Sequence, residues 1–386
     1  MKILFFEWKN FGKEDVIDSL QDLGHEVLCI TSQLIHIRNS LEFDLLFEES
    51  IGLNLFDCVF TFNYSPIISN NCNKRNLKYI ALVYDSPLVS LYSYTIINPC
   101  NYVFTFDSTQ YLEFHKNGIN TIHYMPLAVN VNRLDKVQLS PDIIDKFSCD
   151  ISFVGSMYNE KHNLYDRLKN LKPYTQGFLD GIIAAQQKIF GTFFIEDLLN
   201  GPILSDMISS LEYTTNSDGV ETQAYIYANY FIARKIAELE RKNLLTSISA
   251  QFDTKLYTPN PTPDMPNIKN MGPVDYYDTM PYIFKCSKIN LNITLRSIRN
   301  GIPLRAMDIM GAGGFLLTNY QYDFLEYFIP GEDFNYYDSE EDLLSKSKYY
   351  LSHESERIQI IQNAHGKIKD FHTYEKRFQE IFNIIF

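Results

Sequence analysis

Short apolar runs that alternate with helical segments are the feature that most constrains the fold of this chain. The first run, KILFFEW at residues 2–8, is followed by Lys13 to Leu23, where apolar residues recur at helical spacing until Gly24. Continuous apolar runs are typical of strands that are buried on both faces of a parallel sheet. The alternation therefore predicts an α/β chain with doubly wound parallel sheets.

The alternation occurs in both halves of the chain, on either side of a polar segment. A chain of 386 residues is too long for one ordinary core, so we expect two domains. Residues 1–130 are predicted as an N-terminal Rossmann-like domain, 131–148 as a linker and 149–370 as a C-terminal Rossmann-like domain. Residues from about 174 to 250 lack strand patterns and predict a helical insertion, and 371–386 predict a last helix.

Composition and charge argue against several classes of partner and of structural feature. The net charge of −13 argues against a general nucleic-acid or anionic-membrane surface, which would need clustered lysines and arginines. The six cysteines are scattered without a Cys-x-x-Cys pair, so we expect reduced thiols in a cytoplasmic protein rather than zinc ligands or disulfides. The N-terminal residues show no signal-peptide pattern, and apolar runs are too short for an integral membrane span.

One motif points to phosphate chemistry: NGIPLRAMDIMGAGGFLLTN at residues 300–319. Pro303 suits the first turn of a helix, and Gly301 leaves the backbone uncovered before it, so the helix start can bind an anion. Arg305 can clamp a phosphate, and Asp308 can accept hydrogen bonds from a ribose diol. The alternative is an ordinary helix in which Arg305 and Asp308 form a surface pair worth about 0.2–0.5 kcal/mol.

Residues near this motif add to the predicted site. Arg296 and Arg299 lie just upstream, so in this acidic chain three arginines are expected to converge on one helix start. Gly155 and Ser156 follow the first strand of the second half and offer a second contact to phosphate, although such strand ends are common. Ile302 completes the predicted donor-binding segment before the helix.

The chain resembles the CgeB-like (spore maturation protein) glycosyltransferases of the GT-B class. The resemblance rests on KINLNIT, the motif above, YYLSHESERIQIIQNAHG, HTYEKRF and the N-terminal LVYDSP. It implies a GT-B fold whose two domains face each other across a cleft, with a nucleotide-sugar donor, UDP-sugar foremost, on the C-terminal domain. It also implies a glycan, lipid-linked or protein acceptor, a role in bacterial cell-surface glycan biosynthesis, and a last helix that crosses back to the N-terminal domain.

The resemblance also bears on cofactors. Related enzymes carry an acidic pair eight residues apart; Asp308 matches the second position, but Asn300 stands at the first. We therefore assume no retaining mechanism by analogy. The resemblance implies that no metal or other cofactor is needed, and the sequence shows no convincing Asp-x-Asp motif at a strand end.

Candidate residues for the acceptor side and for catalysis follow strands of the first half or lie at the chain's end. Asp85, after KYIALVY, is the candidate general base, with a turn or capping aspartate as the alternative. Asp107 is a weaker candidate of the same kind, and Trp8 is expected to stack on a sugar or to pack in the core. His372 is expected at the active site if the last helix crosses back, and otherwise caps or packs. Tyr257 is expected near the base of the nucleotide or in simple packing.

Two further functions stay open at this point. A nucleotide-sugar epimerase of the same fold would need no acceptor, and acceptor-dependent release of UDP distinguishes it from a transferase. Asn300 at the first acidic position also leaves open a non-catalytic binding protein. An absence of nucleotide binding in calorimetry would favour that alternative. The glycosyltransferase is the favoured interpretation.

Overall fold

The computed structural model describes residues 1–8, 11–52 and 55–386. The chain divides into two compact units, each assembled from separate segments. The N-terminal unit contains Met1–Asn130, Thr215–Glu221 and His372–Phe386, and the C-terminal unit contains Val131–Thr214 and Thr222–Phe371. The predicted linker, residues 131–148, belongs to the C-terminal unit and carries two helices.

Each unit has a six-stranded sheet in which every pair of neighbouring strands is parallel, as the apolar runs predict. The strand order is β2-β1-β3-β4-β5-β6 in the N-terminal unit and β12-β11-β10-β7-β8-β9 in the C-terminal unit. The strands are β1 Lys2–Glu7, β2 Glu26–Thr31, β3 Cys58–Phe62, β4 Lys78–Leu82, β5 Asn101–Thr105, β6 Ile122–Tyr124, β7 Cys149–Val154, β8 Thr254–Tyr257, β9 Lys269–Asn270, β10 Ser287–Asn292, β11 Leu316–Asn319 and β12 Asn335–Tyr337.

Helices connect the strands and follow the last one. The α-helices are α1 Lys13–Asp22, α2 Leu41–Ile51, α3 Pro66–Lys74, α4 Ser108–Lys116, α5 Val131–Asp135, α6 Pro141–Phe147, α7 Pro173–Gln187, α8 Ile195–Leu198, α9 Gly201–Ser210, α10 Gln223–Ile226, α11 Ala233–Ser249, α12 Met280–Cys286, α13 Leu304–Gly311, α14 Phe324–Tyr327, α15 Glu340–Ser352, α16 Glu354–Phe371 and α17 Tyr374–Ile385. Short 3-10 helices lie at Gln33–His36, Val89–Tyr92, Tyr94–Ile97 and Tyr165–Arg167, and a π-helix at Tyr227–Ile232 joins α10 to α11.

The sheet of the N-terminal unit is buried on both faces because neighbouring residues of each strand point in opposite directions. Ile3 and Phe5 of β1 pack on the face that α1 and α17 cover. Leu4 and Phe6 of the same strand pack on the other face, against α2 and α3. This double burial explains why the strands are continuous apolar runs.

A short internal segment also belongs to the N-terminal unit. The backbone N–H of Tyr94 donates to the carbonyl of Asp218 at 2.9 Å, and that of Val220 donates to Tyr92 at 2.8 Å. Arg38 forms an ion pair with the Asp218 carboxylate at 3.1 Å. Residues 215–221 thus lie within the helical insertion in sequence but belong to the N-terminal unit in the structure.

The C-terminal unit contains the helical insertion. Between Pro173 and Ser249, a range described throughout, the chain forms α7 to α11 and no strand. Leu245 and Ile248 of α11 pack with the sheet core. The two-residue strand β9 was not predicted, because the exposed pair Lys269 and Asn270 carries no apolar pattern.

The turn after α13 needs its glycines. Gly313 has a φ of 77°, a left-handed conformation that side chains disfavour. A Cβ on Gly314 would lie 2.7 Å from Nδ2 of Asn290 and 2.8 Å from the Phe284 carbonyl oxygen. The glycines therefore let the chain turn tightly from α13 into the buried strand β11.

In the described part of the chain, no helix is both long and apolar enough to cross a membrane.

Candidate functional site

The winding of the C-terminal sheet reverses between two neighbouring strands. β7 and β10 pair side by side, but the chain continues from β7 to β8 on one side and from β10 to β11 on the other. In doubly wound sheets, ligands bind outside the carboxyl ends of the strands at such a switch point. The segments that follow these strands, residues 155–156 and 293–303, contain most of the predicted donor residues.

Helix α13 begins immediately after the segment that follows β10. Pro303 is its N-cap rather than a residue of its first turn as predicted, because its ψ of 151° is extended. The N-cap side chain makes no capping hydrogen bond. Backbone N–H groups of the first turn and the helix dipole therefore make this end suitable for an anion.

Arg305 and Asp308 lie one turn apart on α13 and contact each other. Nη1 of Arg305 is 3.3 Å from Oδ2 of Asp308, and the hydroxyl of Tyr276 donates to Oδ1 of Asp308 at 2.9 Å. The side chain of Asp308 is 7% exposed and that of Arg305 is 27% exposed. Arg305 and Asp308 therefore form a pair, but not the exposed surface pair that the sequence analysis gives as the alternative. A buried carboxylate faces a guanidinium that solvent can still reach.

Tyr276 belongs to an aromatic group that sequence reasoning missed. Its ring stands edge-on to that of Tyr277, with centroids 5.0 Å apart. The guanidinium of Arg133 lies over both rings, 5.5 Å and 4.9 Å from their centroids. No local motif identifies these residues, since α5 and the segment before α12 are far apart in sequence.

Arg296 has a buried partner within the C-terminal unit. Its Nε donates to both carboxylate oxygens of Glu240, at 2.9 and 3.0 Å, and its guanidinium stacks on Phe190 at 3.8 Å. Burial raises the pKa of the Glu240 carboxyl, while the charge of Arg296 opposes that rise. The positive charge of Arg296 is thus matched by Glu240, so convergence of three uncompensated arginines on the helix start is not what the structure shows.

The other predicted donor residues lie along the segment between β10 and α13. Arg299 is 3.9 Å from Glu196 of α8, and its side chain is 26% exposed. The carbonyl oxygen of Asn300 accepts from the Asp323 N–H at 3.1 Å. Gly301 and Ile302 are buried. Backbone contacts therefore fix the approach to α13.

A buried arginine that the sequence analysis did not select connects the two segments at the switch point. Arg241 of α11 donates from Nη1 to the carbonyl of Ser156 and from Nη2 to that of Ile293, the latter at 2.6 Å. Its guanidinium lies 4.6 Å from the ring centroid of Tyr158. Arg241 therefore holds the segments after β7 and β10 together.

The segment after β7 is itself well ordered by hydrogen bonds. The Ser156 hydroxyl contacts Oε1 of Glu160 at 2.8 Å and Oδ1 of Asn260 at 3.1 Å. A Cβ on Gly155 would lie 3.2 Å from the Phe153 ring and 3.7 Å from Nη1 of Arg241. Glycine therefore suits this close approach, and the role of both residues toward phosphate stays a prediction.

Tyr257, the last residue of β8, is buried against Phe147, with ring centroids 6.5 Å apart. Its hydroxyl has no hydrogen-bond partner among the described residues. Burial raises its pKa. The packing alternative accounts for the ring, while contact with a base stays a prediction.

In the N-terminal unit, Asp85 lies in the segment after β4 and is exposed. Nδ2 of Asn63 donates to the Asp85 carboxylate at 2.7 Å, and Oδ1 of Asn63 accepts from the Asp85 N–H at 3.1 Å. Burial lowers the pKa of His36, and the charge of Asp85 opposes that shift. Trp8 is 39% exposed and lies edge-on to His36, with centroids 4.2 Å apart. Asp85, His36 and Trp8 thus share one edge of this sheet, and His36 was not foreseen.

Asp107 and His372 have structural partners. Asp107 is buried and caps α4 by accepting from the Thr109 N–H at 3.0 Å. His372 is buried, contacts Nη2 of Arg377 through Nδ1, and accepts from the Val129 N–H through its carbonyl at 3.1 Å. Burial and Arg377 lower the pKa of His372 to about 3. These contacts match the capping and packing alternatives, so any active-site role stays a prediction.

Comparison with known families gives a partial match. Residues 234–383 match the family described as Glycosyl transferase-like, and this range includes β10, α13 and all of α11 except its first residue. No protein of curated function matches the chain significantly.

Solved structures match over the whole chain at low identity. A glycosyltransferase from Rickettsia africae is 13% identical, with coverage of 99% of this chain and 97% of that one and a TM-score of 0.53. Sucrose-phosphate synthase from Thermosynechococcus elongatus is 9% identical, with coverage of 100% and 99% and a TM-score of 0.54. Anabaena HepE in complex with UDP-glucose is 10% identical, with coverage of 100% and 99% and a TM-score of 0.53.

At these identities the structural likeness shows the fold, and it confirms the predicted GT-B class with two Rossmann-like domains. The family match spans α13 and the switch-point strand β10. The chain therefore has the GT-B fold, and its residues 234–383 are similar to the family described as Glycosyl transferase-like.

Proposed function

We propose that this protein transfers a sugar from a nucleoside-diphosphate sugar, with a UDP-sugar as the first candidate, to an acceptor hydroxyl. The observation that carries the proposal is the contact between Arg305 and buried Asp308 at the start of α13, beside the switch point of the sheet. The solved complexes of Anabaena HepE with UDP and with UDP-glucose support a uridine nucleotide as the first candidate.

Different groups at the start of α13 bind the diphosphate and the ribose of the donor. Backbone N–H groups of Leu304 and Arg305 meet the diphosphate, and the partly exposed guanidinium of Arg305 adds a charged hydrogen bond. Asp308 accepts from the ribose hydroxyls, because an ionised carboxylate oxygen can accept more than one hydrogen bond. The same groups stabilise the diphosphate as it leaves, since negative charge accumulates there in the transition state.

The proposal includes no metal. Within the described residues, no group of three or more His, Cys, Asp or Glu side chains is arranged to hold an ion. We propose that the helix dipole and the Arg305 guanidinium supply the positive charge that Mg²⁺ supplies in metal-dependent enzymes. Turnover that is unchanged by excess EDTA is the expected result, and turnover restored only by added Mg²⁺ or Mn²⁺ would contradict it.

In the N-terminal unit, Asp85 is proposed as the general base that accepts the acceptor's proton. Its carboxylate is exposed and is oriented by Asn63, so it can reach a substrate hydroxyl. Trp8 offers an aromatic edge nearby for a sugar ring. The acceptor class (glycan, lipid-linked or protein), the narrower CgeB-like assignment, a role in bacterial cell-surface glycans and the cytoplasmic location belong to this proposal.

Calorimetry with UDP, UDP-sugars and inorganic pyrophosphate tests the donor site. Arg305→Ala should weaken UDP binding by about 1.5–3 kcal/mol, the scale of a hydrogen bond to a charged group. Asp308→Asn should weaken UDP binding but leave pyrophosphate binding unchanged, because only UDP carries the ribose. The exposed Arg167→Ala variant of the same unit serves as the control. UDP affinity that is unchanged in Arg305→Ala would refute this donor site.

A further inference from the structure

A pocket of the C-terminal unit is lined by none of the proposed donor residues. It is open to solvent, has a volume of about 470 Å³, and is lined by Lys188, Ile189, Phe190, Tyr320, Tyr336 and Asp338. Tyr320 follows β11, and Tyr336 lies in the edge strand β12. The pocket is therefore displaced from the switch strands β7 and β10 toward one edge of the sheet.

The aromatic walls of this pocket are held by buried groups. Phe190 stacks on Arg296 at 3.8 Å, and Arg296 is itself fixed by its ion pair with Glu240. The rings of Tyr320 and Tyr336 meet with centroids 5.2 Å apart at an angle of 72°. Such support keeps the walls in place before any ligand arrives, which lowers the ordering cost of binding.

Polar groups around the pocket are available to a ligand. Within the described residues, the hydroxyls of Tyr320 and Tyr336, the Lys188 ammonium and the Asp338 carboxylate have no hydrogen-bond or ion-pair partner. The set contains donors and acceptors, and its single positive charge is matched by a single negative one. With Lys188 and Asp338 in balance, the lining offers a phosphate no net attraction, and a purely apolar ligand would leave both charges unused.

From this combination we infer that the pocket binds a neutral sugar ring of the acceptor glycan, an inference that rests on the proposed transferase function. An aromatic wall covers the apolar face of a sugar, while hydroxyl, ammonium and carboxylate groups bond to its hydroxyls. The pocket thus positions a glycan chain independently of the nucleotide.

A printed array of defined glycans, probed with the whole protein in the absence of any nucleotide, tests the inference. The wild type should bind a discrete set of glycans. Tyr320→Ala should lose about tenfold in affinity for them, on the scale of one aromatic contact. Tyr320→Phe keeps the ring in case the alanine variant does not fold. The single variants Tyr320→Phe and Lys188→Ala, the latter at an exposed lysine, should each lose about threefold in glycan affinity, on the scale of one hydrogen bond.

The neighbouring exposed residue Tyr322 provides the matched control, and Tyr322→Ala should bind glycans as the wild type does. The affinity for UDP, measured separately by calorimetry, should be the same in all four variants. The inference fails if the wild type binds no glycan, if all pocket variants bind as the wild type does, or if Tyr320→Ala loses UDP binding. A wild type that binds glycans but no UDP would overturn the proposed donor function and leave a sugar-binding pocket.

Discussion

The hydroxyl of Tyr276 donates a hydrogen bond to Oδ1 of Asp308 at 2.9 Å, and both side chains are buried. This bond orients the carboxylate so that its other oxygen faces Arg305. Charge-assisted bonds of this kind are stronger than those between neutral groups. Tyr276 is therefore a positioning residue for Asp308.

Replacing Tyr276 with Phe should weaken UDP binding about two- to tenfold, the range of one net hydrogen bond. The ring and its packing remain, so the fold should be retained. Calorimetry with UDP and with pyrophosphate provides the measurement. Pyrophosphate binding should be nearly unchanged, because the effect passes through the ribose contact of Asp308.

Tyr277→Phe is the matched control, since its ring packs on Tyr276 in the same segment. Equal losses of UDP affinity in the two variants would show that the aromatic group acts as a whole. The specific role of the Tyr276 hydroxyl would then be rejected.

Replacing Asp85 with Asn should reduce the turnover number by about 10²–10⁴-fold, the usual contribution of a general base. The affinity for UDP should stay within about twofold, because the proposed donor groups belong to the other unit. Release of UDP in the presence of acceptor measures turnover, and calorimetry measures affinity.

Asp22→Asn, at another exposed aspartate of the same unit, should leave turnover unchanged. Normal turnover in Asp85→Asn would assign this residue to the turn after β4. A loss of UDP affinity together with turnover would also contradict the proposed division of roles.

Breaking the buried ion pair between Glu240 and Arg296 should be costly. Glu240→Gln leaves the Arg296 guanidinium buried without a matching charge, so the free energy of unfolding should fall by about 3–5 kcal/mol. Equilibrium urea unfolding measures the change. Lys242→Ala, which removes an exposed pair with Asp264 from the same helix, should cost at most about 1 kcal/mol. Similar losses of unfolding free energy in the two variants would show that the buried ion pair stabilises the protein no more than the exposed one does.

The lowered pKa of His372 predicts a loss of stability on acidification. Its pKa falls from the ordinary histidine value of 6.5 to about 3, so between these values the unfolded chain binds a proton that the folded chain excludes. Stability should therefore fall as pH falls through this window, by up to about 1.4 kcal/mol per pH unit for this residue.

Melting temperatures from about pH 7 to about pH 4 provide the measurement for His372. The difference between the wild type and His372→Gln should shrink or reverse as the pH falls, because the variant lacks the titrating group. His115→Gln, at an exposed histidine, should give a curve parallel to that of the wild type. Parallel curves for His372→Gln as well would show that His372 titrates alike in the folded and unfolded chain.

Periodicity along the chain predicts features that depend on neighbouring residues. Both parallel sheets, the helical insertion and the start of α13 to within one position follow from local patterns. Contacts between distant segments do not. Arg296 meets Glu240 across a sequence separation of 56, and the contact of Tyr276 with Asp308 spans 32 residues.

Charge counting along the sequence led to one wrong expectation for the same reason. Arg296 and Arg305 were both expected to supply positive charge to one helix start, but the insertion brings Glu240 to Arg296. The role of Arg241 was equally hidden, because its partners are backbone carbonyls of two other segments. Side-chain pairing of this kind is set by tertiary packing, which a single sequence does not display.

The N-terminal unit is assembled from three separate stretches of chain, and this limits how the protein can be dissected. A fragment that stops at Asn130 would lack α17, whose Tyr374, Phe378 and Ile381 are buried with β1 in one core. One apolar face of the sheet would then be exposed to solvent and would promote aggregation. Supplying residues 372–386 as a separate peptide should cover this face, and residues 215–221 would also be needed to restore the contacts of Tyr94 and Arg38 with Asp218.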